Sequence, residues 1–164
     1  MKKNQKGFSL IELLIVVVII GIIAAIAIPN LLASRRAANE SGAIASMRTL
    51  TGANATYRAS NAAYAASLAV LNTSGLIDSS FSGATSAATA KSGYYYTFTP
   101  STASPANWWN VTSLPAQNSG IGATGTRSFY TNESGVIYSG AAATAPTVTD
   151  TTARTVTGGT PLNN

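Results

Sequence analysis

Gly7-Phe8-Ser9-Leu10-Ile11-Glu12-Leu13-Leu14 opens a run in which every residue from Leu13 to Ile28 is apolar or glycine. Counted from Phe8 to Ile28, these 21 residues carry one charge. As a helix they span roughly 30 Å, the thickness of one hydrocarbon core. Lys2, Lys3 and Lys6 precede the run, a basic flank that predicts a cytoplasmic N-terminus with the rest of the chain outside. A secretory signal would be cut at small residues behind its apolar run, and Ala24-Ala25-Ile26-Ala27 offers such a place. Glu12 argues for a different use. A carboxylate one turn into an apolar run costs a few kcal/mol in lipid, so a function is expected of it. The plainer reading is an interfacial charge that snorkels to the headgroups.

Length and composition narrow the rest. The chain has 164 residues, room for an anchor and one domain. Only 9% of them are charged, far below the usual quarter. Ala, Ser, Thr and Gly give instead a low-charge, hydroxyl-rich surface, suited to life outside the cell and to packing among copies. The formal charge of +5 is concentrated in the three leading lysines. Without them, seven basic side chains face five acidic ones, a balance of +2 that makes no polyanion-binding stripe. The chain has neither Cys nor His, which excludes disulfides, thiolate and imidazole catalysis and the usual zinc ligand sets.

The stretch Lys6 to Leu14 resembles the processing site of type IV prepilins and of the pseudopilins of type II secretion. The resemblance implies that a membrane aspartic protease, the prepilin peptidase, cuts between Gly7 and Phe8 and methylates the new amine of Phe8. The apolar run is then kept as an anchor. It also implies that Glu12 takes the Phe8 amine of a neighbouring subunit as counter-charge when subunits stack, a pair that neutralises both groups inside an apolar bundle. Gly21 and Pro29 stand where the family places a helix-weakening Gly and Pro. Proline removes a hydrogen bond and glycine lowers helicity, so the stretch between them is expected to unwind on leaving the bilayer. An ordinary membrane-helix kink is the competing reading.

Six segments follow: a cleaved leader at 1–7, a membrane and assembly helix at 8–29, and a continuing amphipathic helix at 30–71. A surface connector at 72–93, a sheet at 94–138 and a mobile Thr/Gly-rich tail at 139–164 complete the chain. Within 30–71 the residues Ala43, Met47, Leu50, Asn54, Tyr57, Asn61, Tyr64 and Leu68 keep a three-four spacing, one stripe to face a partner. Tyr94, Tyr96 and Phe98 alternate with Tyr95, Thr97 and Thr99 up to Pro100, the period of a half-buried strand. Trp108 to Leu114, closed by Pro115, is a second strand, and its adjacent tryptophans must point to opposite faces. Arg127–Tyr130 and Val136–Tyr138 flank a turn whose Gly135 supplies positive φ. The fold class is therefore α+β: a long N-terminal helix, membrane-spanning in its first half, against three or four antiparallel strands. That is the pilin fold, with an added edge strand around 147–156 as an option.

Chemistry finds little foothold in the head. The aromatic set reads as core and sheet surface before it reads as a ligand platform. Calcium, which the major pseudopilin of type II secretion holds in its sheet loops, wants several oxygens, whereas only Glu133 and Asp150 lie in the final hairpin and tail. Neither metal, cofactor, catalytic group nor nucleic-acid site is expected, and the chain is not read as an enzyme. The expected role is a structural subunit of a type IV pilus, with the prepilin peptidase, the inner-membrane assembly platform and copies of itself as partners. A type II secretion pseudopilin is the alternative. A membrane-tethered binding module that never polymerises is the third reading.

Overall fold

The computed structural model describes residues 7–102, 106–148 and 154–162. Lys2, Lys3, Lys6 and Asp150 lie outside them. The chain divides into two compact units, Met1–Ser34 and Arg35–Asn164. Seven strands, three α-helices and one short 3-10 helix are described, and the long helix expected at the front is α1, Leu10–Asn61.

In the larger unit α1 buries Glu40, Ala43, Met47, Leu50, Ala53 and Asn54. From Ala43 to Asn54 this is the anticipated stripe, carried one turn further back by a charged residue; beyond it Tyr57 is half-buried and Asn61 is exposed. Helix formers continue past residue 61, and the sequence reading carried the helix to Leu71. It stops at Asn61 because tertiary bonds outweigh propensity. Ala62 turns to a φ of 55°, and the Asn61 side chain donates to the Tyr57 carbonyl at 2.9 Å. The next backbone amides find partners elsewhere: Tyr64 N donates to Ala106 O at 3.0 Å, and Ala65 N to the buried Asn54 Oδ1 at 3.3 Å. Tyr64 and Leu68 still reach the core, but from a turned chain.

Residues 72–93, expected as a loose connector, are packed. Ser67 caps α2, Leu68–Thr73, and Asp78 caps α3, Ser79–Ser82, through the Phe81 amide. Each side-chain cap satisfies an amide the helix leaves orphaned. Ile77, Phe81 and Ala84 are buried, and the Phe81 ring meets Tyr96 edge-on at 4.7 Å. Few apolar residues are available in this tract, and the fold uses them.

Strands β1 (Tyr94–Pro100), β2 (Trp109–Pro115), β3 (Arg127–Asn132) and β4 (Ile137–Ala141) form an antiparallel meander. Gly135, at φ 77°, turns the β3–β4 hairpin. Tyr94, Tyr96, Trp109, Val111, Phe129 and Ile137 share one buried cluster with Met47 and Leu50 of α1. Trp109 faces this core, stacked on Phe98 at 5.8 Å, while Trp108 faces the other way and is half-buried.

Of the segment expected as a mobile tail, residues 139–148 and 154–162 are described, and they cover that second face. β5 (Thr147–Val148) pairs with β6 (Val156–Thr157), and β7 (Thr160–Pro161) joins β4, so the sheet has five strands in the order β1-β2-β3-β4-β7. Pro146 is fully buried. Arg154 grips Glu133 through two hydrogen bonds at 2.7 and 2.8 Å and lays its guanidinium over Trp108 at 4.6 Å. Covered on both sides, β3 is buried at every position after Arg127, as a central strand between two layers must be.

One carboxylate joins the helix to this sheet. Glu40, 6% exposed, accepts from the amide and the hydroxyl of Thr126, each at 2.7 Å. It also receives Arg127 Nε at 2.9 Å. Burial alone would raise its pKa, but the Thr126 and Arg127 hydrogen bonds outweigh that and hold it below the ordinary carboxylate value. Beside it Tyr94 Oη donates to Arg127 O at 2.6 Å, and a Cβ on Gly125 would collide with the Tyr94 hydroxyl.

Two measurements check this packing, both on the full chain in detergent. Glu40→Ala is expected to lower stability by about 2 kcal/mol, the cost of orphaning partly solvated donors, read as a shift of the urea midpoint. Because the folded carboxyl is held below its ordinary 4.5, the wild type keeps this contribution above that pH and loses it as pH falls through the depressed value. The variant lacks that acid-side slope. Gly125→Ala forces the Tyr94 ring away and is expected to cost about 1–3 kcal/mol, whereas Gly52→Ala, with open space around the new methyl, is expected to be tolerated.

Candidate functional site

The residues singled out by sequence lie in the unit Met1–Ser34. Gly7, Phe8 and Ser9 precede the first helical turn, and Phe8 is 86% exposed. A methyl on Gly7 would meet nothing within 4 Å, so packing inside the subunit does not require a glycine there. Ser9-Leu10-Ile11-Glu12 has the spacing of a capping box. Its reciprocal arm is present: Ser9 N donates to Glu12 Oε2 at 3.4 Å. An acidic residue in the first turn also suits the positive end of the helix dipole. Glu12 forms no ion pair among the described residues, and no bond there links it to Phe8.

Beyond Glu12 the helix surface is apolar and bare. Leu13, Leu14, Ile15, Ile19, Ile20, Ile22, Ile23 and Ile28 are all half or more exposed. Among the described residues α1 is the helix long and apolar enough to cross a membrane. It runs unbroken through both Gly21 and Pro29. Gly21 has open space around it, so no close approach within the subunit demands it. Pro29 has no N–H to give the carbonyl four residues back. One residue on, Asn30 Nδ2 reinforces the Ile26 carbonyl at 3.1 Å, and Ser34 Oγ bonds Asn30 O at 3.0 Å.

Sequence reasoning missed the polar residues that tie α1 to the sheet. Arg36, Asn39 and Glu40 were not singled out, although extending the three-four spacing back from Ala43 reaches 40 and then 36. The aromatic set divides as core and sheet faces: Tyr94, Tyr96, Trp109 and Tyr130 are buried, and Tyr95, Trp108 and Tyr138 are half-buried. Glu133, the one described acid of the final hairpin, is engaged by Arg154. Burial alone would raise its pKa, but Arg154 together with backbone amides, Trp109 N among them, outweighs that and keeps the carboxyl low. Among the described residues no three His, Cys, Asp or Glu side chains cluster as metal ligands would.

A helix with a bare apolar start, continued against an antiparallel five-stranded sheet, is an α+β pilin-like fold. Residues 2–28 match the family of the prokaryotic N-terminal methylation motif. The chain is homologous to type IV pilins and to type II secretion pseudopilins. It is 45% identical over 74 residues to the type IV wide pilus major component PilA4 of Thermus thermophilus, covering 45% of this chain and 56% of that one. It is 39% identical over 62 residues to the type II secretion system core protein G of Vibrio cholerae, covering 38% of this chain and 42% of the other. With the core protein G of Aeromonas hydrophila the figures are 35% over 63 residues, 38% and 44%. The chain thus spans about half the length of the curated relatives it matches.

The helix geometry carries its own test. Residues 21–29 lack both side-chain packing and the Pro29 donor, so their amides are expected to exchange faster in detergent than those of 43–54. Pro29→Ala restores a bond and should slow exchange at positions 25–29, read by hydrogen–deuterium exchange with mass spectrometry. Equal rates in both proteins would mean that Pro29 does not loosen the helix.

Proposed function

We propose that the chain is a structural subunit of a type IV pilus. A prepilin peptidase removes residues 1–7 and methylates Phe8. Residues 8–29 then hold the subunit in the inner membrane with its N-terminus cytoplasmic, until an assembly platform moves it into a filament of identical copies. The function belongs to the polymer: adhesion, twitching motility or DNA uptake. The observation that carries this reading is a methylation-motif segment whose apolar surface finds no cover within its own unit, Met1–Ser34, and whose one carboxylate stands at its start. In lipid or among copies that surface is covered. The Phe8 amine of a neighbour supplies the counter-charge Glu12 needs once its surroundings are apolar. Gly21 and Pro29 provide the stretch that lengthens or unwinds when the surroundings change.

The core protein G matches favour a second reading, a pseudopilin of a type II secretion system, whose polymer is a short periplasmic piston. The PilA4 match is both longer and higher in identity, which favours the pilus.

The test combines two measurements. Mass spectrometry of the mature chain is expected to show an N-terminal methylated Phe8; cleavage behind Ala27 would sink the reading. Glu12→Ala should still enter the membrane yet give at least a tenfold loss of surface fibres. Wild-type fibre numbers would make Glu12 an incidental charge. Loss of exoprotein secretion with fibres intact on gene deletion would favour the pseudopilin.

A further inference from the structure

The tail leaves a cleft where its cover over the second face of the sheet meets β2. The cleft has a volume of about 290 Å³ and lies wholly within the unit Arg35–Asn164. Trp108, Asn110 and Thr112 line it because they alternate with the core-facing Trp109, Val111 and Ser113. Tyr130 of β3 stands directly opposite Thr112 and so shares its face. Val148 and Arg154 of the tail line the other side.

A seam of this kind ordinarily holds only water. Three observations set this one apart. The Tyr130 hydroxyl is buried without a hydrogen-bond partner, and Asn132 lies near it without completing a bond. In a residue only 1% exposed, such a hydroxyl costs free energy until something meets it. Among the described residues the side chains of Asn110 and Thr112 and the Nη1 of Arg154 make no hydrogen bond either. Donors and acceptors thus converge on one cleft with their bonds unspent. Finally, the cleft is neutral and has an apolar side. Glu133 takes Nε and Nη2 of Arg154 and cancels its charge, so an anion is not selected. The half-buried ring of Trp108, stacked on that guanidinium at 4.6 Å, and Val148 supply the apolar part.

The geometry points to a binding site for one neutral pyranose ring, on the second face of the sheet. A pyranose has the two matching halves. Its C–H face suits an apolar ring such as Trp108, and each hydroxyl of its rim both donates and accepts, as Tyr130, Asn110, Thr112 and Arg154 require. A volume of about 290 Å³ stands at the low end of small-molecule sites, room for one ring and not for a chain of them. Glu133 is a positioning residue here, since it holds the guanidinium and balances it. The inference concerns the head alone and holds whether or not the chain polymerises.

Saturation-transfer difference NMR tests this on the full chain, in lauryldimethylamine oxide, a detergent without a sugar headgroup. The probes are glucose, galactose, mannose and N-acetylglucosamine, each free and as its methyl glycoside, with glucuronate as the charged control. At least one neutral sugar is expected to receive saturation at its ring C–H protons, with a millimolar dissociation constant, and glucuronate to bind no better. Binding of the methyl glycoside as well as the free sugar assigns the end ring of a glycan; binding of the free sugar alone assigns a free hexose. Tyr130→Phe removes only the orphan oxygen. It is expected to leave the urea midpoint unchanged or raised while weakening the sugar about fivefold, the worth of one hydrogen bond. Asn110→Ala should weaken it by a similar factor. No transfer to any neutral sugar from the folded wild type overturns the inference, as does tighter binding of glucuronate. Sugar binding that Tyr130→Phe leaves at wild-type strength places the sugar elsewhere and overturns it. A lowered midpoint in that variant would mean the hydroxyl is spent inside the fold, which overturns it too.

Discussion

The Glu40 carboxylate is the constraint on which the head is built. It is the one charged side chain on the buried face of α1, and its two oxygens bind three donors at the point where the chain enters β3. A buried charge without such partners would be expelled or neutralised. The helix can therefore meet the sheet only in the register that brings Thr126 and Arg127 to it. Gly125 must then be small, because the Tyr94 hydroxyl crosses that space to reach the Arg127 carbonyl. From β3 the meander is fixed outward on both sides, β2 and β1 one way, β4 and β7 the other.

The two parts of α1 obey opposite rules. In the head its face carries one carboxylate, small residues, Met47, Leu50 and Asn54, packed or bonded within the head. In the unit Met1–Ser34 its surface is almost wholly large, branched and apolar, with no partner there. An apolar side chain left in water forgoes about 1.5–3 kcal/mol of burial, and more than a dozen are bare. Such a segment is stable only where something else supplies the cover. Its stability is a property of its surroundings, while the stability of the head lies in its own contacts.

Much of this was legible in the residues themselves. The alternation of Tyr94, Tyr96 and Phe98, the prolines at 100 and 115, and the paired tryptophans specify strands and faces because side-chain period and backbone donors are local properties. The motif around Gly7, Phe8 and Glu12 is legible for a different reason: it is contiguous, and residues 2–28 match a family of their own. What escaped is non-local. The end of α1 at Asn61 is decided by amides bonding to Asn54 and to the chain near Ala106, against good local helix formers. The covering role of residues 139–148 and 154–162 depends on Pro146, a few short pairings and the Arg154–Glu133 grip, none of which has a period. Glu40 lay on the right spacing but was passed over, because a search for an apolar stripe discards a charge that only a distant Thr-Arg pair makes acceptable.

The same division bears on how far similarity to other proteins reaches. The family match ends at residue 28, and the identity to PilA4 extends over 74 residues, well short of the whole chain. On the function proposed above, this segment fits a processing enzyme, a bilayer and its own copies, and a change at one residue has to satisfy all of them. The head answers mainly to itself through Glu40 and the aromatic core, so its loops and strand exteriors are free to diverge as long as that latch closes. Features particular to this chain should therefore be sought on the head's exterior, where the cleft lined by Trp108 and Tyr130 is found, and not along the apolar run.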